Sequence, residues 1–151
     1  MGAERVVVAT DGSCLLNPGP GGWAWACDDG RSDSGGHDGT TNNLMELRAL
    51  YEVLGAHPAD VPLLIQADSM YVINIFTRWL PGWVARGWLT SAKKPVLNRE
   101  AIELIAERLR GRDVQWEHVK GHSGHVLNER VDVLARAQSE RILAARVAST
   151  P

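Results

Sequence analysis

The chain reads as an α/β protein, a five-stranded mixed sheet flanked by helices. Three observations predict it. Two short apolar runs, Val6-Val7-Val8-Ala9 and Val61 to Ala67, stop at a carboxylate, as buried strands do. Thr41 to about His57 repeats its apolar residues with a helical period. The elements then follow in the order β-β-β-α-β-α-α-β-α, which places helices against a mixed sheet. The 151 residues suit one core and one domain, expected over 1–142 with a loose tail at 143–151.

The elements are justified in turn. The first strand stops at Asp11-Gly12, with Asp11 at its carboxyl end. Trp23-Ala24-Trp25-Ala26-Cys27 follows the turn-rich Asn17-Pro18-Gly19-Pro20-Gly21-Gly22 and forms the second, reversing at Asp28-Asp29-Gly30 into a weak third. The first helix is capped by Thr40 or Thr41, and Leu44, Leu47, Leu50, Tyr51, Val53 and Leu54 cover most of its circumference. A helix apolar on so many sides is buried, so Glu46 within it is no casual surface charge. Val61 to Ala67 is the fourth strand, ending at Asp68. A helix carrying Met70, Ile73, Phe76 and Trp79 follows, then a stretch rich in Trp, Pro and Gly, and a helix near Arg99 to Arg110. A strand at Val114 to His118 and a last helix from about Leu127 complete the order.

Composition limits the function. No apolar run is long enough to cross a bilayer, and Met1 to Arg5 lacks a secretory pattern, so neither membrane association nor export is expected. Cys14 and Cys27 imply no disulfide framework, which suits a reducing cytoplasm. A net charge of −2 argues against gripping nucleic acid with the whole surface, yet residues 69 to 99 hold no Asp or Glu while carrying Arg78, Arg86, Lys93, Lys94 and Arg99. That local basic stripe is an electrostatic footprint for an anionic polymer.

Four carboxylates carry the chemistry: Asp11, Glu46, Asp68 and Asp132. Each lies at the edge of an apolar segment or inside one. An isolated buried charge costs several kcal/mol, so such acids are caps, partners of cations or metal ligands. Asp11 and Asp68 end strands, and in α/β sheets ligands bind in the crevice beyond strand ends. If one fold gathers all four, their repulsion demands divalent cations. Two hard cations about 4 Å apart can generate a hydroxide and stabilise the leaving oxygen of a phosphodiester.

The surrounding residues resemble type 1 ribonuclease H, from Val6 to about Ala137 and in family order. The matching motifs are Thr10-Asp11-Gly12-Ser13, Asn17-Pro18-Gly19-Pro20-Gly21-Gly22, Thr41-Asn42-Asn43 with Met45-Glu46-Leu47, Asp68-Ser69, Trp79 through Gly87-Trp88, Lys94-Pro95-Val96, and Val119 to His125 leading to Asn128-Glu129 and Asp132. The resemblance implies a ribonuclease H-like fold with a Trp-rich basic handle. It also implies endonucleolytic hydrolysis of the RNA strand of RNA/DNA hybrids, leaving 5′-phosphate and 3′-hydroxyl ends. By the same resemblance Asp11, Glu46, Asp68 and Asp132 hold magnesium, two ions in the substrate complex, with Mn2+ as an alternative. The enzyme is expected to be a cytoplasmic monomer, and the sequence points to no protein partner.

His122 has rival readings. His118, His122 and His125 stand at spacings of four and three, which on one helix face can bind zinc. Gly121 and Gly124 flank His122, however, and favour a loop. An imidazole there can shuttle a proton near neutral pH or help product leave, which is also the role the resemblance implies.

The remaining expected contacts concern substrate. By resemblance Tyr71, Trp79 and Trp83 match a DNA-strand channel, and Thr41 and Asn98 a DNA-phosphate pocket. Cys14, Asn17, Asn42, Asn43 and Met70 match groove-contacting positions that read 2′-hydroxyls, as a hybrid requires. Arg86 belongs to the basic stripe. Asn42-Asn43 can equally be helix capping, and Trp88 a local mini-core beneath a loop. Val84, Ala85 and Leu89 stand where strongly basic family members carry lysines, so weak hybrid affinity is expected. Two alternatives share parts of this pattern: a DNA nuclease of related fold, such as a resolvase or integrase core, and a catalytically silent hybrid-binding module. The first would lack the glycine-flanked histidine loop, and the second would have lost an acid.

Overall fold

The computed structural model describes residues 4–120 and 124–149. Five strands form one mixed sheet: β1 (Val6–Cys14), β2 (Gly19–Cys27), β3 (Ser32–Thr40), β4 (Leu63–Ala67) and β5 (Val114–His118), in the order β3-β2-β1-β4-β5. β1 to β3 pair antiparallel, whereas β1–β4 and β4–β5 are parallel.

Alternation along β2 explains the two layers. Trp23, Trp25 and Cys27 join the large core with Leu47, Leu50 and Val53 of α1 (Asn42–Gly55). Ala24 and Ala26 point the other way and pack with Ala9 against Val131 and Ala135 of α5 (Val126–Ala148). Small residues on that face let the helix approach closely. A Cβ on Gly22 would lie 2.2 Å from the Ala135 carbonyl oxygen, so β2 admits α5 only with glycine there. α4 (Arg99–Leu109) adds Ile102 and Ile105 to the large core beside α1.

Several boundaries differ from the sequence expectation. β1 does not stop at Asp11-Gly12 but continues to Cys14, because β2 already starts at Gly19 and supplies partners as far as Cys14↔Gly21. A turn-like composition is thus overridden by a neighbouring strand. The weak third strand is nine residues long. The stretch rich in Trp, Pro and Gly is helical at its start: α2 (Met70–Asn74) runs through a π-helical turn, Ile75–Trp79, into α3 (Leu80–Ala85). Pro81 is tolerated because the first turn of a helix needs no N–H from it. The expected tail at 143–151 is helical as far as Ala148, since α5 extends there and Arg146 Nε donates to Asp38 on β3 at 3.2 Å.

Candidate active site

Strand register builds the floor of the site. The parallel pairing of β1 with β4 ends at Thr10↔Ala67, so the next residues, Asp11 and Asp68, stand side by side just beyond it. The third acid arrives from above. Thr41 caps α1, its Oγ1 accepting from Leu44 N at 3.2 Å, and Glu46 follows in the second turn. α1 can lie this close only because residue 12 is glycine: a Cβ there would fall 2.4 Å from Glu46 N. Carboxylate oxygens of Asp11, Glu46 and Asp68 consequently lie within 4.8 Å of one another.

Burial makes this trio electrostatically uncomfortable. Asp11 and Glu46 are each 4% exposed. Burial, then the charges of Asp68 and Asp132, push the Asp11 carboxyl from 3.8 up to about 7. Burial and the charges of Asp11 and Asp68 push Glu46 well above its ordinary range. A hydrogen bond between the two carboxyls raises Glu46 further and partly offsets the rise of Asp11, but burial dominates and both carboxyls stay elevated. Asp68, half-buried, is raised by burial and by Asp132. Glu46 Oε2 is buried and has no hydrogen-bond partner among the described residues. Three acids held together, an orphaned buried oxygen and an all-oxygen donor set fit a hard divalent cation, which would supply the missing positive charge.

The fourth acid sits differently. Asp132 comes from the second turn of α5 and lines the same polar cavity, about 390 Å³ in volume, with Asp11, Glu46, Asp68, Ser69 and Arg136. It stands outside the tight trio, and its Oδ2 accepts from Arg136 Nη2 at 3.0 Å. His122 lies outside the described residues. Of its two neighbours, His118 closes β5 with Nε2 3.1 Å from the Asp68 carbonyl oxygen, and His125 precedes α5. Among the described residues the only close group of potential ligands is the acid trio, so His118 and His125 build no zinc cluster there.

Six of the eleven expected substrate residues line one of two cavities. Cys14 and Asn42 line the acid cavity. Asn17 Oδ1 accepts from Asn42 N at 2.9 Å, which ties the loop before β2 to the start of α1. Met70 is 43% exposed, one residue beyond Ser69. Asn43, next to Asn42, turns instead into a second cavity of about 550 Å³ with Tyr71, Trp83, Lys94 and Asn98. Asn98 Nδ2 donates to the Tyr71 hydroxyl at 3.0 Å, and Trp79 lies 6.4 Å from the Tyr71 ring and 5.8 Å from that of Trp83. Thr41 is engaged as the cap of α1. Arg86 Nε donates to Leu89 O at 3.1 Å, and Arg99 stacks 4.9 Å over Trp88, so two of the five basic side chains also hold the segment's own shape.

Three contributors escaped the sequence reading. Gly12 was masked because Asp-Gly resembles a strand stop. Ser69 caps α2, its Oγ accepting from Val72 N at 3.2 Å, and a serine before an apolar helix was a usable signal. Arg136 stands four residues after Asp132, the spacing at which helical side chains of opposite charge meet.

Comparison with known proteins agrees with this geometry. The RNase H family model matches residues 3–140. The Ribonuclease H of Tropheryma whipplei (strain Twist) is 48% identical over 134 residues, covering 88% of this chain and 83% of that protein. The Ribonuclease H of Nitratidesulfovibrio vulgaris (strain DP4) is 49% identical over 140 residues, 90% of either chain. Among solved structures, LC9-RNase H1, a type 1 RNase H with the type 2 active-site motif, superimposes with a TM-score of 0.81 at 27% identity, covering 94% of this chain and 75% of that one.

Proposed function

The chain belongs to the RNase H family, and we propose that Asp11, Glu46, Asp68 and Asp132 are the acids with which it carries out the family's reaction. That activity is the endonucleolytic cleavage of the RNA strand of an RNA/DNA hybrid, and it depends on a divalent metal. The observation that carries the assignment is the trio of acids within 4.8 Å, two of them buried, none of which forms an ion pair with Lys or Arg among the described residues.

Magnesium is the proposed ion, two in the substrate complex, with manganese able to replace it. Metal at these acids would supply a hydroxide near neutral pH and stabilise the leaving oxygen in an in-line displacement that leaves 5′-phosphate and 3′-hydroxyl ends. The chain's own residues position the strands. Asn42 and Asn43 diverge into the two cavities, so the start of α1 divides the RNA strand, over the acids, from the DNA strand, against Tyr71, Trp79, Trp83, Arg86 and the Thr41 and Asn98 phosphate contacts. Cys14, Asn17, Asn42, Asn43 and Met70 meet the minor groove, where 2′-hydroxyls distinguish RNA from DNA. His122 moves a proton at the leaving end or helps product depart. A monomer in a reducing cytoplasm suits the two free cysteines, and among the described residues no helix is long and apolar enough to cross a membrane.

The test is a panel of end-labelled RNA/DNA hybrid, duplex RNA, duplex DNA and single-stranded RNA, each with magnesium, manganese or chelator. Only the hybrid should be cut, at many positions and only with metal. Asp68→Asn should bind hybrid yet lose nearly all cleavage, whereas His122→Ala should slow single turnover by about 10²–10⁴ without abolishing it. Cutting of duplex DNA, full activity in chelator, or equal losses in the two variants would contradict the assigned roles.

A further inference from the structure

Among the described residues, Asp132 is the one acid of the four that forms an ion pair with Lys or Arg. Asp132 and Arg136 meet across one turn of α5 at 3.0 Å, with side chains 40% and 57% exposed. Both line the acid cavity, yet Asp132 does not join the tight trio. Its charge still reaches the others, since it helps to raise Asp11 and Asp68. The backbone beneath Arg136 is anchored: its carbonyl accepts from Ser139 Oγ at 2.8 Å, and Ser139, fully buried, meets Ser13 Oγ on β1 at 3.1 Å. The turn is therefore fixed to the strand that carries Asp11, while the guanidinium itself stays solvent-accessible and able to swing.

From this arrangement we infer that Arg136 is a positioning residue, the resident counter-ion of Asp132, which competes with metal for that carboxylate while no substrate is bound. The inference rests on the proposed metal-holding role of the four acids. A divalent ion reaching for Asp132 must first open the ion pair. The trio, which forms no ion pair with Lys or Arg among the described residues, takes metal without that cost. Once released, the guanidinium stands at the rim of the cavity, where a substrate phosphate enters, and it has lost its carboxylate partner to the metal. The pair therefore links substrate arrival to completion of the acid set.

Titration calorimetry of Mn2+ into the hybrid-free full chain tests this, with wild type, Arg136→Gln, Arg136→Lys, Asp132→Asn and the Asp132→Asn/Arg136→Gln double variant. Arg136→Gln should bind Mn2+ about two-fold more tightly than wild type, the size expected from removing an exposed i,i+4 ion pair. Arg136→Lys, which restores the charge, should return most of the way to wild type. In the Asp132→Asn background the same Gln substitution should leave Mn2+ affinity unchanged, because the competition is for that carboxylate. Unchanged affinity in Arg136→Gln, or a gain that persists undiminished without Asp132, overturns the inference while leaving metal binding intact. No Mn2+ binding by any variant, wild type included, overturns the metal assignment itself and this inference with it.

Discussion

Gly12→Ala should damage the site through backbone alone. The added Cβ would lie 2.4 Å from Glu46 N, 2.7 Å from Met45 C and 3.0 Å from Glu46 Cα. Ordinary contact begins near 3.4 Å, so β1 and the second turn of α1 must part by about 1 Å. No flexible side chain can absorb the move, because all three atoms are main chain. Overpacking of this kind costs about 1–3 kcal/mol, and an immovable helix turn places the variant toward the upper end. The displaced residue is Glu46, whose carboxyl must stay within reach of Asp11 and Asp68, and a misplacement of about 1 Å at a reacting centre costs roughly 10² in rate. Urea denaturation, Mn2+ titration and single-turnover cleavage of a hybrid should therefore all register the change: lower stability, weaker metal and slower chemistry. Gly82→Ala is the control, since its Cβ would meet only the mobile end of Arg86 at 3.1 Å and alanine favours a helix. If Gly12→Ala keeps wild-type stability and metal affinity, the close approach does not place Glu46, and the reasoning fails.

Two further outcomes follow from charge. In chelator, the folded chain holds a proton on Asp11 between pH 4 and about 7 that the unfolded chain has released, so its contribution falls as pH rises through that window, by up to about 4 kcal/mol for a shift from 3.8 to about 7. Glu46 adds in the same direction. Asp11→Asn, with nothing to titrate there, should accordingly be less pH-sensitive than wild type and more stable at pH 7 without metal, while Mn2+ should restore the wild type above that pH. Denaturation curves from pH 4 to 8, with and without Mn2+, check this, and a wild type that gains stability relative to Asp11→Asn across the window contradicts it. On the basic segment, Val84 and Leu89 are 54% and 36% exposed and Ala85 is also exposed, so Lys at all three should be accepted by the fold. That variant should bind hybrid more tightly, lower KM far more than it changes kcat, and steepen the salt dependence by about 0.9 in log–log slope per new phosphate contact. Unimproved binding at low salt would show that the segment does not touch substrate.

Much of this molecule was legible in one dimension, and the reason is periodicity. Apolar runs ending in Asp11 and Asp68 announced strands, and the apolar circumference of the helix around Glu46 announced that its carboxyl is buried. Thr40-Thr41 announced a cap, and the fold uses Thr41. Boundaries were less legible, because a strand's length depends on its neighbour: β1 runs on past Asp11-Gly12 since β2 pairs with it to Gly21. The chain passes helically through Pro81 because the proline falls in the first turn of α3, and α5 outlasts its expected end.

The sequence by itself determined which residues can do chemistry here: four acids at the edges of apolar segments, a basic stretch interleaved with tryptophan, and motifs that matched one family. Only the tertiary structure decided how they act on one another. The register Thr10↔Ala67 sets Asp11 beside Asp68, and the missing side chain of Gly12 lets Glu46 descend onto both. Asp132, on α5, stands outside that trio and meets Arg136 instead. Residue type fixes what a side chain can donate, accept or titrate, but desolvation and repulsion depend on separation in space. Those separations arise from strand pairing and helix packing between segments far apart along the chain, which periodicity does not encode.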